Sequence, residues 1–431
     1  MTPQMIGIWI LFGSFLLLIL MRVPIAFSVG LSTILTFLYL DIPLNMITTN
    51  IVKGLNSFSL MAIPFFIFAG EVMGAGGISD RVVGLAKALV GQFRGGLAQV
   101  NCLDSMFFGG ISGSPVADVS SLGSIMIPIM KKNGYDMDFS AGITMASSIQ
   151  GLLIPPSHNM IIYAMAAGSV SIAKLFMAGV VPGVLLGISL MIYSYFVSVK
   201  RNYPKEESFS LKKLFIALKE SIFGLMTIVI IMVGVLTGIF TATESAAIAS
   251  VWAVIVTFFI YREVPFKEMW NILTKTLKTL AIIMILIGIS TAFGWLIAYL
   301  KVPSMIISSI MGLTSNPIFI LLLINTILLF LGMIMDMSSI IVIATPILLP
   351  IATSIGIDPV HFGVIMILNL GIGLITPPVG GVLYVCSGIT GMKIEALTKA
   401  MFSFYVVMLI VLILVTYVPA VSMTLPNMMF K

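Results

Sequence analysis

Apolar segments of membrane-spanning length recur along almost the whole chain, and they limit the folds open to it more than any other feature. They are Ile6–Leu20, Ile25–Leu40, Phe58–Met73, Leu175–Val199, Ile222–Gly238, Ala246–Tyr261, Leu280–Leu300, Pro317–Met335 and Met401–Val418. Each is near, or slightly under, the length at which a helix crosses a hydrocarbon core of about 30 Å. Only 9% of the residues are charged, where a soluble domain carries about a quarter, and the mean hydropathy is +1.18. Lipid must be the main solvent of such a chain. Backbone groups in lipid have to be satisfied internally, which leaves helices or a closed barrel. A barrel needs apolar–polar alternation over strands of about ten residues, and none occurs. The expectation is an all-α polytopic membrane protein.

The polar inventory narrows the function. The two cysteines, Cys102 and Cys386, sit in apolar surroundings without zinc-site spacing and read as core residues. With only two histidines, His158 and His361, and no H-E-x-x-H motif or nucleophile–base pair, enzyme chemistry is not expected. The first apolar stretch lacks a basic leader and an A-x-A cleavage site, so it reads as a retained helix. The net charge of +6 reports topology before nucleic-acid binding, and no nucleic-acid partner is expected.

The basic residues cluster. Lys200, Arg201, Lys205, Lys212, Lys213 and Lys219 fall in one connection, and Arg262, Lys267, Lys275 and Lys278 in the next. Both should be cytoplasmic. Ile222–Tyr261 between them then forms two helices that go out and return, turning at Thr241-Ala-Thr-Glu244. That tetrapeptide is a capping box, with Glu244 satisfying a helix start. Residues 200–221 read as an amphipathic connection on the inner membrane surface, with Leu211, Leu214, Phe215 and Leu218 on one face. It separates a first structural repeat, 1–199, from a second, 222–431.

The halves overlay at a fixed offset of 222 residues. Gly110 meets Gly332, Pro128 meets Pro350, Gly134 meets Gly356 and Asp136 meets Asp358. Gly151 meets Gly373, and Pro155-Pro156 meets Pro377-Pro378. Glycine and proline set backbone shape, so matched positions imply matched bends. Gly/Pro-interrupted apolar segments at corresponding places in two halves point to a transporter site. Here the interruptions are a Pro-Pro break in each half and a polar tip in each half. The tips are Gly110–Asp118 and Gly332–Ser339, flanked by apolar arms too short to be comfortable separate spans. Two re-entrant helical hairpins and two Pro-Pro-broken helices are expected.

A double proline removes two amide donors and leaves upstream carbonyls without partners. A sodium ion takes such carbonyls and hydroxyls without burying net charge. One Na⁺ site is expected from Ser112, Gly151, Ile154 and Pro155, and a second from Gly332, Gly373, Thr376 and Pro377. Half-helices starting after each tip and break aim positive dipole ends inward and favour an anion. Ser114, Asp118, Ser157, His158, Asn159, Asp336 and Ser338 are the candidate substrate residues. Intramembrane acids are functional candidates in their own right, and Glu71 and Asp104 join Asp118 and Asp336 in that class. The stretches bearing tips and breaks, about 97–167 and 317–389, are the expected mobile elements. The remainder, including Ile25–Leu40 and Ile222–Tyr261, would be scaffold.

These residues resemble the large membrane subunit, DctM-type or M, of tripartite ATP-independent periplasmic (TRAP) transporters. The matching stretches include Ile63-Pro-Phe-Phe-Ile-Phe-Ala-Gly-Glu71, Ile111-Ser-Gly-Ser-Pro-Val-Ala-Asp118, Ile154-Pro-Pro-Ser157, Phe240-Thr-Ala-Thr-Glu244 and Gly373-Leu-Ile-Thr-Pro-Pro-Val-Gly380. The resemblance runs from near residue 60 to near 400. It implies an inverted repeat, an elevator-type carrier and a Na⁺ gradient as energy source. It implies multi-pass insertion in a bacterial inner membrane. It also implies a small four-helix membrane subunit (DctQ-type) and a periplasmic substrate-binding protein (DctP-type) as partners. With no helices before Met1, a separate small subunit is expected. Family substrates are small anions: C4-dicarboxylates, sialic acid and other sugar acids. Ser157-His158-Asn159 departs from the small or apolar residues more usual there.

The first rival is a stand-alone cation-coupled organic anion carrier of the wider ion-transporter superfamily, whose helix breaks would look alike. A channel is the second, but it would need pore-lining rings from an oligomer.

Overall fold

A computed structural model describes residues 2–168, 170–205, 209–314 and 316–430, without the side chains of residues 59, 111, 112 and 310–313. The first half comprises α1 (Pro3–Leu20), α2 (Ile25–Tyr39), α3 (Asn45–Leu55), α4 (Ala62–Ala75), α5 (Ile78–Val90) and α6 (Gly96–Ser112). It continues through α7 (Pro115–Lys132), α8 (Met137–Ser148), α9 (Gln150–Leu153), α10 (His158–Ala167) and α11 (Ile172–Lys200). The second half comprises α12 (Leu211–Leu236), α13 (Ala242–Val254), α14 (Glu268–Tyr299), α15 (Val302–Leu313) and α16 (Pro317–Ile334). After these come α17 (Met337–Ser354), α18 (Pro359–Leu374), α19 (Gly381–Thr390), α20 (Ile394–Tyr417) and α21 (Ala420–Met429). Among the described residues eight helical segments are long and apolar enough to cross a membrane, and α4 with α5, bent by 74°, would make a ninth. The chain is a multi-pass membrane protein.

Local chemistry sets the helix ends. Thr2 and Asn316 cap α1 and α16 through their side-chain oxygens, each followed by a proline at the first helical position. The capping box at Thr241–Glu244 is formed. Thr241 N donates to Glu244 Oε2 at 2.8 Å, and Glu244 N to Thr241 Oγ1 at 3.2 Å. Residues 211–221 differ from the surface helix expected of them. They are the opening turns of one continuous α12, because no proline or capping residue interrupts Leu211–Leu236. The lipid-facing length of α12 therefore merges with its amphipathic start.

At the 222-residue offset, α7 begins and ends where α17 does, and Ser114 and Asp336 are their N-caps. Asp136 and Asp358 likewise precede α8 and α18. The matched glycines make close contacts, but in different registers. A Cβ on Gly109, one residue before Gly110, would stand 2.2 Å from Gly151 Cα. In the second half, a Cβ on Gly373 would stand 2.6 Å from Gly332 Cα. The end of each hairpin's first arm thus lies backbone-to-backbone against the residue that precedes the break. Only glycine on both sides permits this.

The basic connection after α11 is tied down locally. Arg201 reaches Asp136 and Asp138 at 2.9 Å, and Tyr203 donates to Asp136 at 2.6 Å. These contacts, the Tyr203 hydroxyl first and Arg201 second, hold the Asp136 carboxyl below its ordinary range. The stabilisation is complete above the usual aspartate pKa of about 4 and is lost as pH falls through the lowered value.

Gly373→Ala is expected to destabilise the protein by about 1–3 kcal/mol through overpacking against Gly332. Gly13→Ala, whose Cβ meets nothing within 4 Å, is expected to leave the melting temperature unchanged or slightly raised. Thermal unfolding of both variants in one detergent makes the comparison.

Candidate functional site

Both Pro-Pro sequences interrupt helices. α9 stops at Leu153, Ile154 is extended, and α10 starts at His158. α18 stops at Leu374, and α19 starts at Gly381 after Gly380 in the left-handed region. Both Pro-Pro bonds are cis. The consequence for the carbonyls follows from the missing amides. Among the described residues no donor reaches the carbonyls of Ile154, Pro155, Thr376 or Pro377. Gly151 has lost its fourth-residue donor because that residue is Pro155. The neighbouring carbonyl of Ile375 is taken by the Tyr405 hydroxyl at 2.5 Å, and that of Gly373 by Thr376 N at 2.9 Å. Thr376 Oγ1 donates to Ile372 O at 2.7 Å and keeps its lone pairs. The Ser112 side chain lies outside the described residues. Gly332 stands against Gly373, and Val379 N donates to Met333 O at 3.0 Å, so tip and break of the second half touch directly.

The tips and breaks of the two halves also interlock. α10 packs on α17, and α19 on α7. Ser338 Oγ donates to Asn159 Oδ1 at 3.4 Å, and the Tyr163 hydroxyl to Pro359 O at 2.6 Å. Gly113, left-handed at φ 61°, turns the first tip so closely over His158 that a Cβ there would stand 3.1 Å from Nδ1.

A cavity of about 720 Å³ opens beside the tips. Of the sequence-derived substrate candidates, Ser114, His158, Asp336 and Ser338 line it, so two tips and one break converge on one space. Asp336 Oδ2 also accepts from Ser338 N and Ser339 N at 3.0 and 3.3 Å, so it caps α17 while facing the cavity. Asp118, Ser157 and Asn159 do not line it and are buried. The opposite wall is α14, where Glu268, Ile272, Lys275, Thr279 and Ile283 follow one helix face. Glu71 of α4 completes the charged lining. Lys275 had only a topological meaning in the sequence. Its spacing from Glu268 and Thr279 along one face was the available signal, but nothing local says which face looks into a cavity.

Helices interrupted at two Pro-Pro pairs and a polar cavity lined by both tips characterise the site. Residues 12–421 match the family described as the tripartite ATP-independent periplasmic transporter, DctM component. The chain belongs to that family. It is 42% identical to the isethionate TRAP transporter permease protein DctMQ of Oleidesulfovibrio alaskensis, over 96% of this chain and 65% of that one. It is 39% identical to the sialic acid TRAP transporter large permease protein SiaM of Vibrio cholerae, over 94% of this chain and 95% of that one. Its fold is similar to that of the Alcanivorax borkumensis YdaH transporter, with a TM-score of 0.65 at 13% identity, covering 96% and 98% of the two chains.

Single cysteines replacing Ser338 or Thr279, which face the cavity, are expected to react with a water-soluble maleimide. Buried native Cys102 and Cys386 are expected to stay unlabelled under the same conditions. Mass spectrometry of the labelled protein reads both.

Proposed function

We propose that this chain is the large membrane subunit of a Na⁺-coupled uptake system for a small organic acid, sialic acid or another sugar acid or a C4-dicarboxylate. It would work by an elevator mechanism in a bacterial inner membrane. Its partners would be a small four-helix subunit and a periplasmic binding protein. The observation that carries the reading is the set of partnerless carbonyls at both Pro-Pro breaks, together with a cavity lined by both tips and by His158 after the first break. Carbonyls without donors at membrane depth are tolerated where they line a cavity or hold a cation. In the proposed first site Gly151, Ile154 and Pro155 supply oxygens with Ser112. In the second, Gly332, Gly373, Thr376 and Pro377 do so. Na⁺ there would neutralise an anion held between the half-sites by Ser114, His158, Asp336 and Ser338. Lys275 would meet a carboxylate from the α14 wall.

The moving unit is proposed to be 97–167 with 317–389, two re-entrant hairpins and two broken helices related by an inverted repeat. Support comes from the interlocking of α10 with α17 and α19 with α7, which suits displacement as one body. A charge at the bilayer centre costs at least about 2.5–3.5 kcal/mol, so substrate and cations travelling together are favoured over a bare anion. A relative with the fused name DctMQ supports association with a small subunit.

Vesicles containing this chain and its small subunit are expected to accumulate substrate only with binding protein and an inward Na⁺ gradient. ATP-driven uptake, or uptake by this chain alone, would favour the stand-alone carrier or another system. In the same assay Thr376→Ala is expected to raise the Na⁺ concentration needed for half-maximal uptake; an unchanged Na⁺ dependence removes Thr376 from the site.

The elevator is tested separately. A complete disulfide between cysteines on α14 and α17, which pack together, is expected to stop transport until reduced. Unchanged uptake with that crosslink in place means a local gate instead.

A further inference from the structure

The first hairpin contains something the second does not. Asp104 on α6 is 0% exposed and Asp118 on α7 is 1% exposed. All four of their carboxylate oxygens lack a hydrogen-bond partner among the described residues. Neither forms an ion pair there. Around them runs a polar stripe. On α6 it includes Asn101 and Ser105, and on α7 Ser114 and Ser121. Ser105, whose hydroxyl lies beside Asp118, is engaged with Ser147 at 2.9 Å. Asn101 is engaged with Thr144 at 2.6 Å. Asn101 and Ser105 are engaged with α8, whereas among the described residues neither Asp104 oxygen has a partner and Asp118 has only the Ser105 hydroxyl beside it.

The second hairpin is an internal control. At the 222-residue offset Asn101 becomes Leu323, Asp104 becomes Thr326 and Ser105 becomes Ile327. Asp118 becomes Ile340, and Ser121 becomes Ile343. The same helix–tip–helix backbone is built there without any carboxylate in its arms. Packing therefore does not require Asp104 or Asp118. Two buried, unpartnered, like-charged groups would cost several kcal/mol if both were ionised. Something must neutralise at least one.

Among the described residues no cation pairs with either carboxylate, and Lys131 and Lys132 of α7 lie in that helix's last turn. Asp80 of α5, which packs on α6, adds further negative charge near Asp104. Arg81, on the same helix, is paired with Glu263, and Lys87 lies in that helix's last turn. The cations of α11, Lys174 and Lys200, lie near its ends, and those of α12 lie between Lys212 and Lys219. Glu71 of α4 faces the cavity. α8 has only Asp138, in its first turn, α9 has no charged residue, and α19 brings Tyr384.

We propose that the first hairpin carries a proton-binding site on its two buried carboxylates, Asp104 and Asp118, at least one of which holds a proton, apart from the cation positions at the breaks. The proton comes from water in the cavity. Ser114 and Ser121, which line that cavity, flank Asp118 on its own helix at four residues before and three after. Each proton bound removes one of the two negative charges. This site is specific to the first half, so the two hairpins differ in ligand although they share a backbone. The inference does not rest on the substrate or on Na⁺ coupling.

Infrared spectroscopy of the full-length protein in lipid nanodiscs tests it. At neutral pH without Na⁺, a buried protonated-carboxyl band is expected that weakens in Asp104→Asn and again in Asp118→Asn. Thr376→Ala should leave it unchanged. Thermal unfolding of the asparagine variants, close to isosteric, shows that they remain folded. A band insensitive to both asparagine variants would overturn the proposal. So would ionised-carboxylate bands of this pair that shift on adding Na⁺ but not choline, since the pair would then be a sodium site.

Discussion

A backbone carbonyl in lipid must find a donor, and the Pro-Pro sequences deny it one. Much of the architecture answers that deficit. The hairpin ends lie against the breaks through glycine pairs, Gly109 with Gly151 and Gly332 with Gly373. Tyr405 and the Thr376 amide satisfy some of the exposed oxygens around the second break. Others, at Ile154, Pro155, Thr376 and Pro377, have no donor among the described residues. The first break is tolerable because protein, not lipid, surrounds Pro155, Pro156 and Ser157. The same condition leaves oxygens available to a cation.

The two halves solve this problem with the same backbone and different chemistry. Ser114 caps α7 with a hydroxyl, whereas Asp336 caps α17 with a carboxylate that also faces the cavity. Break one is followed directly by Ser157 and His158. Break two needs Val379 and the left-handed Gly380 before its helix resumes. A duplicated frame with unlike side chains can place an asymmetric organic molecule between two similar half-sites. α10 packs on α17 and α19 on α7, so elements of the two halves are in direct contact.

Much of the helix plan was legible in the sequence. The spans followed from hydropathy, the α13 start from a four-residue capping box, and the breaks from proline's missing amide. The α7–α17 correspondence followed from fixed Gly, Pro and Asp spacing. Other features were not legible. Residues 211–221 looked like a surface helix because their apolar face is narrow, yet nothing there stops a helix, and α12 runs through. Lys275 carried only a topological signal, because a helix face acquires its cavity from another helix.

By itself the sequence determined that the chain lives in lipid, where its helices break, and that its halves share a backbone plan. Those properties are local: hydrophobic length, missing amide donors, and glycine's freedom from a side chain. Only the tertiary structure decided which polar groups meet. It brought Ser114, His158, Asp336 and Ser338 to one cavity, withdrew Asp118, Ser157 and Asn159 into the interior, and turned Lys275 toward the tips. Such convergence depends on how helices far apart in the chain pack and rotate against each other, and a one-dimensional pattern does not encode that rotation.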